Sequence, residues 1–309
     1  MIQVTDIAYV RYQAPDLNRM EAFLLDFGLQ RAARTEQALY MRGNGAAHHV
    51  HITEQGPAAT LGFGLRAASH ADLGRLAARV GASVEDSPEP GGGQRVRFTD
   101  PSGFVVDVIH GQAEVQALPV RASIGANPID QRRRHGEVIR LQPAPSKVMR
   151  MGHVALLCKD FPATLAFYQE VLGFKISDSY WAGAPENVIA AFMHCGLGDQ
   201  WTDHHTVALI TAQDGISRFD HSAFEVLDLD DVMQGNAWLK QRDYPHAWGV
   251  GRHIQGSQIF DYWRDPFGHK VEHWTDGDLV NDSTPAQSAP LTNNELSQWG
   301  PELQPSFFA

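Results

Sequence analysis

Residues 100 to 107 read DPSGFVVD and residues 265 to 272 read DPFGHKVE, two instances of one pattern, Asp-Pro-x-Gly-x-x-x-acid, in one chain. Long-range self-similarity is the signature of repeated structural units, and it recurs around these anchors. FLLDFGL at residues 23–29 resembles FYQEVLGF at 167–174, and His48-His49-Val50-His51-Ile52 resembles His204-His205-Thr206-Val207-Ala208-Leu209-Ile210. Two related halves follow. Between them, residues 116–146 carry Pro119, Pro128, Pro143, Pro145 and the basic run Arg132-Arg133-Arg134 with no sustained period. That composition predicts a linker, with the basic run as its solvated face. The expected layout is a first domain over residues 1–115, the linker over 116–146, a second domain over 147–277 and a tail over 278–309.

Periodicity in the second half predicts a strand over 149–157, then a helix capped by Asp160, running through Leu172 and stopped by Gly173. Strands are expected at 174–180, 188–194 and 205–211. A second cycle opens with a strand over 219–227 and a helix over about 228–242, and closes with strands near 257–263 and 269–274. The chain is therefore expected to be α+β: two domains, each of two modules in which a strand and a helix precede further strands. The polar stretch after about Asn281 ends in Trp299, Phe307 and Phe308, an aromatic patch expected to dock on the body of the protein rather than to serve function.

Composition narrows the function classes. At 309 residues the chain exceeds one ordinary core, and 43% hydrophobic with 20% charged residues is a globular balance. A formal charge of −11 argues against nucleic acid or an anionic membrane surface as partner. The opening MIQVTDIAYV has no basic region followed by an apolar core, and no apolar run approaches about 18 residues, so a soluble cytoplasmic protein is expected. Cys158 and Cys195 are too few for a disulfide framework. Fifteen histidines are the compositional oddity.

Three possible metal ligands occupy equivalent places in the second half: His153 and His221 on the opening strands of its two modules, and Glu272 on its last strand. His153 and Glu272 each adjoin a valine on a strand, where a polar side chain must be satisfied or face a cavity. Two imidazoles and one carboxylate form the facial set that holds an Fe(II)-type ion and leaves positions open, with Mn(II) the second choice. Any one of them could equally be a hydrogen-bonded core residue. Their repeat position raises all three: the first half has Tyr9 or Ala8, an apolar segment around Leu61, and Asp107 in the corresponding places.

The segment from Gly251 to Glu272 resembles the signature of extradiol ring-cleaving dioxygenases of the vicinal oxygen chelate superfamily. His253, Tyr262, Asp265-Pro266, Gly268 and Glu272 fall into its places, while Asp261 stands where the family usually has an apolar residue. The resemblance implies four βαβββ modules in two domains, the first degenerate, with the metal in the C-terminal one. It implies His153, His221 and Glu272 as metal ligands, His204 as the acid–base histidine, and His253 and Tyr262 as groups that hydrogen-bond the bound diol. His205, adjacent to His204, would face the other way if the strand is extended there. Fe(II) as cofactor, O2 as co-substrate, a small catecholic substrate and a homo-oligomer are implied as well.

Phe192, His194, His246 and Trp248 are the expected pocket walls, on segments that could approach the open face of the ion. Three rival readings share the fold. A 2-oxo-acid-type dioxygenase is disfavoured by the His253 to Tyr262 spacing and by His204. A glyoxalase-like isomerase would need a second glutamate, which is not evident. A metal-free binding protein would not need the triad.

Overall fold

The structure is a computed structural model that describes residues 1–291 and 296–308. Each half of the chain forms one large sheet. In the first half the strand order is Gln30–Arg34, Ala38–Arg42, His51–Gln55, Val4–Ala14, Ala59–Ala67, Val105–His110, Gln94–Thr99 and Val84–Asp86. The second half repeats that order with Phe174–Trp181, Val188–Cys195, Val207–Thr211, Val148–Cys158, Arg218–Val226, Lys270–Thr275, Ile259–Arg264 and His246–His253. At the middle of each sheet the opening strands of two modules pair antiparallel. Each opening strand is flanked on its other side by the last strand of its own module, in parallel. A parallel return needs a crossover, and the helix and hairpin of each module supply it.

The four module helices, Leu17–Phe27, His70–Val80, Phe161–Glu170 and Leu229–Lys240, start where an Asp or Ser side chain accepts a first-turn backbone N–H: Asp16, Ser69, Asp160 and Asp228 respectively. Alternation along the strands then divides the two faces. On Val148–Cys158, the side chains of Val154, Leu156 and Cys158 join the apolar core, whereas His153, Ala155 and Leu157 face an internal cavity. The core is continuous between the halves, including Val10, Phe27 and Phe63 with Leu156 and Phe224. Polar contacts reinforce the junction. The His273 ring stacks on Phe27 at 3.8 Å and its Nε2–H donates to the Phe27 carbonyl at 2.7 Å. Tyr12 stacks on His269 at 4.2 Å and shares a 2.8 Å hydroxyl hydrogen bond with Ser222.

Two features differ from the sequence expectation. His246–His253 is a strand that the periodicity did not indicate. Gly249 and Gly251 interrupt its alternation, and Gly249 adopts φ +128° beside Asp261, where a Cβ would lie 2.9 Å from the Asp261 Cα. The tail is also more structured than its polar composition suggests. Gln287–Pro290 extends one sheet edge beside Phe174–Trp181, and Ser297–Trp299 extends the other beside His246–His253. Phe307 is buried, Trp299 is 47% exposed, and the Phe308 side chain lies outside the described atoms. Residues 116–146 are irregular up to the next strand, and Arg121 ties them to the Asp228 helix cap at 2.5 and 2.7 Å. Both cysteines are buried and free. Among the described residues, no helix is long and apolar enough to cross a membrane.

Gly152, next to His153, lies directly under the Trp274 indole, and a Cβ there would be 2.3 Å from Nε1 and 2.5 Å from Cζ2. Overpacking a buried site costs about 1–3 kcal/mol, so Gly152→Ala is expected to lower stability by that amount in urea unfolding at unchanged m-value. A loss below about 0.5 kcal/mol would show that the indole yields readily.

Candidate metal centre

His153, His221 and Glu272 converge from three adjacent strands. Ala223 is the register partner of both His153 and Glu272, and His221 lies two residues before it on the same face. The ligand-type atoms form a triangle: His153 Nε2 to Glu272 Oε2 is 3.2 Å, His221 Nε2 to the same oxygen is 3.3 Å, and the two Nε2 atoms are 3.4 Å apart. Such edges suit one ion bound at about 2.0–2.2 Å. Glu272 is fully buried, and neither of its oxygens has a partner in hydrogen-bond geometry. Burial alone would raise its carboxyl, but the nearby imidazoles of His153, His221 and His253 outweigh that and hold it well below the carboxylate range. A buried anion unanswered by a directed donor, at equal reach of two imidazoles, fits a divalent cation.

Further groups fix the orientation of this set. His221 Nδ1–H donates to Asp220 Oδ2 at 2.6 Å, which leaves Nε2 aimed at the centre. Asp220 in turn receives Lys270 Nζ at 3.0 Å, and the same ammonium donates to the Phe307 carbonyl at 3.0 Å. Burial would raise the Asp220 carboxyl, yet His221 and Lys270 together bring it down to about 2. His253 Nδ1–H donates to the Leu296 carbonyl at 2.7 Å, so in the neutral ring Nε2 accepts from the Tyr262 hydroxyl at 2.9 Å. Tyr262 faces Glu272 across the strand pair, and burial holds its hydroxyl well above the usual range.

The triad opens on a cavity of about 150 Å³ walled by Ala155, Ala208, Ile210, Phe192, Trp248 and Phe307, among others. Phe192 and Trp248 therefore stand where the sequence suggested. His194 and His246 do not line it. His194 Nδ1 is hydrogen-bonded to Ser177 Oγ at 2.7 Å. His246 donates from Nε2 to Asp261 Oδ1 at 2.7 Å, a register shift between His246 and Trp248 having turned the two apart. Asp261 itself, the departure from the family pattern, is fully buried on the opposite face from Tyr262, where Asn236 Nδ2 at 3.0 Å and Trp263 Nε1 at 2.7 Å also donate to it.

The paired histidines need a correction. His205, not His204, faces the cavity: its ring lies 4.2 Å from His153 and 5.1 Å from Phe192. Burial holds His205 well below the ordinary histidine value, and therefore neutral. His204 points away, its Nε2 3.0 Å from Asp178 Oδ2. The two rings do face apart, but the bend at residues 204–206, before the strand begins at Val207, puts His205 rather than His204 on the side of Ala208 and Ile210. Asp220, Lys270 and Leu296 were not singled out in the sequence, and Phe307, expected only to dock on the body, also walls the cavity. The Asp-His dipeptide was the one available signal, since a carboxylate beside a candidate ligand can orient it.

In the first half the equivalent positions are filled. Register places Tyr9 at the site of His153, Gly62, next to Leu61, at that of His221, and Asp107 at that of Glu272. Asp107 is answered by protein cations and a hydroxyl: Arg97 Nε at 2.7 Å and Nη2 at 2.9 Å, Tyr9 Oη at 2.9 Å and Arg11 at 3.7 Å.

Residues 150–273 match the family model of the glyoxalase/bleomycin resistance protein/dioxygenase superfamily. Metapyrocatechase 2 of Cupriavidus necator is 30% identical over 99% of this chain and 91% of its own length. Biphenyl-2,3-diol 1,2-dioxygenase of Paraburkholderia xenovorans (strain LB400) is 26% identical over 97% and 95%. In fold, the chain is similar to homoprotocatechuate 2,3-dioxygenase from Brevibacterium fuscum, solved as an anaerobic complex with 3,4-dihydroxyphenylacetate, with a TM-score of 0.81, 22% identity and coverage of 99% and 92%. With whole-length kinship to a metapyrocatechase on a doubled βαβββ architecture, the chain belongs to the extradiol ring-cleaving dioxygenases of the vicinal oxygen chelate superfamily.

Proposed function

We propose that the protein opens a one-ring catechol beside its diol with O2, using one Fe(II) held by His153, His221 and Glu272. The observation that carries this reading is the two-histidine, one-carboxylate triangle opening on an apolar, aromatic-walled cavity. A divalent iron there would supply Lewis acidity to the diol oxygens and an electronic link between diol and O2. About 150 Å³ is the volume at which an apolar protein cavity holds a benzene ring, which favours a single ring. Among the described residues no lysine or arginine lines the cavity, which favours an uncharged ring substituent.

The chain's own groups divide the remaining work. His205, neutral and buried at the cavity wall, takes a proton from the diol and later returns it to the opening ring. His253, fixed by the Leu296 carbonyl, holds the Tyr262 hydroxyl in place to orient the diol, and that hydroxyl can turn its proton from His253 to charge that develops on the diol oxygens. Phe192 and Trp248 hold the ring face and keep water out, as aromatic walls do.

Protein loaded anaerobically with Fe(II) and then exposed to air should turn catechol and 3-methylcatechol into yellow, pH-sensitive ring-opened products, with 2,3-dihydroxybiphenyl a poorer substrate. His221→Ala should abolish the colour, and His205→Ala should lower kcat about 10²–10⁴-fold while iron content is retained. Wild-type protein that holds one iron per chain and leaves every diol intact would overturn the reading. Removing a ligand's hydrogen-bond partner costs about 10–100-fold in metal affinity, so Asp220→Asn is expected to bind iron that much more weakly in chelator competition.

A further inference from the structure

We infer that Asp178 and His204 are positioning residues that fix the tautomer of His205, so that its Nε2 lone pair faces the cavity. The inference rests on the role proposed for His205 above. Asp178 Oδ2 lies 3.0 Å from His204 Nε2, and His204 Nδ1 lies 3.1 Å from His205 Nδ1. An ionised carboxylate can only accept, so the proton of the first bond sits on His204 Nε2. A neutral His204 then has only a lone pair at Nδ1. The proton between the two rings must come from His205 Nδ1, which leaves His205 Nε2 as the basic nitrogen. Asp178 thus acts at the cavity across two rings. The logic is that of a carboxylate that selects the tautomer of a catalytic histidine, with one more imidazole inserted.

His204 is held rigidly enough for this. Its backbone N–H donates to the Asp278 carbonyl at 3.0 Å, and its carbonyl accepts from Ser177 Oγ at 2.5 Å. Its ring lies against Gly256, at φ +71°, where a Cβ would come 2.9 Å from His204 Nδ1. His204 and His205 are both buried, while the Asp178 side chain is 16% exposed, so the chain runs from near the surface to the cavity.

The first half supplies an internal comparison. Register places His48 and His49 at the positions of His204 and His205, and their Nδ1 atoms also meet, at 3.2 Å. The position equivalent to Asp178 there is Ala33. The histidine pair therefore belongs to the repeat, whereas the carboxylate that gives it a direction is found in the half that carries the metal triad.

The test uses full-length protein with [15N]histidine, loaded with Zn(II) as a diamagnetic stand-in and read by two-bond 1H–15N NMR, with His205→Gln identifying the His205 signals. Wild type should show His205 protonated at Nδ1 and bare at Nε2. Asp178→Asn and His204→Phe should move its proton towards Nε2, and Asp178→Glu should keep the wild-type pattern. In iron-loaded enzyme, Asp178→Asn and His204→Phe should lower kcat at least about 10-fold, with KM for catechol and iron content within twofold of wild type. Asp178→Glu should recover most of kcat. A wild-type His205 protonated at Nε2 would overturn the inference, as would variants that shift the proton without lowering kcat. Failure of the proposed function is distinguishable: iron-loaded wild type would then leave catechol intact, while the NMR pattern would still report on the hydrogen-bond chain.

Discussion

A carboxylate sealed inside a sheet, with no donor directed at either oxygen, has to be answered by positive charge, because an isolated buried anion costs far more than a folded domain can spare. The two halves of this chain answer the same requirement differently. Asp107 is met by the Arg97 guanidinium, with Arg11 and Tyr9 beside it. Glu272 is met by imidazoles, which are neutral ligands before they are cations. Where the first half places Arg11, the second has Ala155, and where the first has Gly62, the second has His221. Removing a fixed cation and adding a nitrogen ligand turns a filled ion-pair network into a centre with room for an exchangeable ion and a substrate.

The small residues on the cavity side follow from the same exchange. Ala155 and Ala208 lie on strands beside the triad, and their short side chains leave the space that Ile210, Phe192 and Trp248 enclose. Behind the cavity the structure is tightly committed, with Trp274 over Gly152 and Asp261 bound by Asn236, His246 and Trp263. The site is therefore open on one side and rigid on the other, as a centre that must hold its ligands in one geometry requires.

Much of this was legible in the chain itself because it lies in periodicity and repetition. The opening strands, the Asp160 cap and the equivalence of His153 with Tyr9 and of Glu272 with Asp107 depend on local pattern and on the repeat. What was not legible depends on departures from regularity. The bend before Val207 reversed the roles of His204 and His205, and the register shift after His246 turned that ring from the cavity. The docking of Phe307 was expected but its place was not, because it comes to the cavity from far along the chain by tertiary contact alone.

That contact makes Lys270 a shared fastening. Its ammonium holds Asp220, which orients the proposed ligand His221, and also the Phe307 carbonyl, with the Phe307 ring 3.5 Å from the charge. Two events joined through one group obey reciprocity: whatever the docked Phe307 adds to the binding of an ion at the triad, that ion would add to the docking. Loading the proposed ion would then change the hold on this cavity wall by the same free energy. The resistance of the segment around Phe307 to proteolysis would become a gauge of how full the proposed site is.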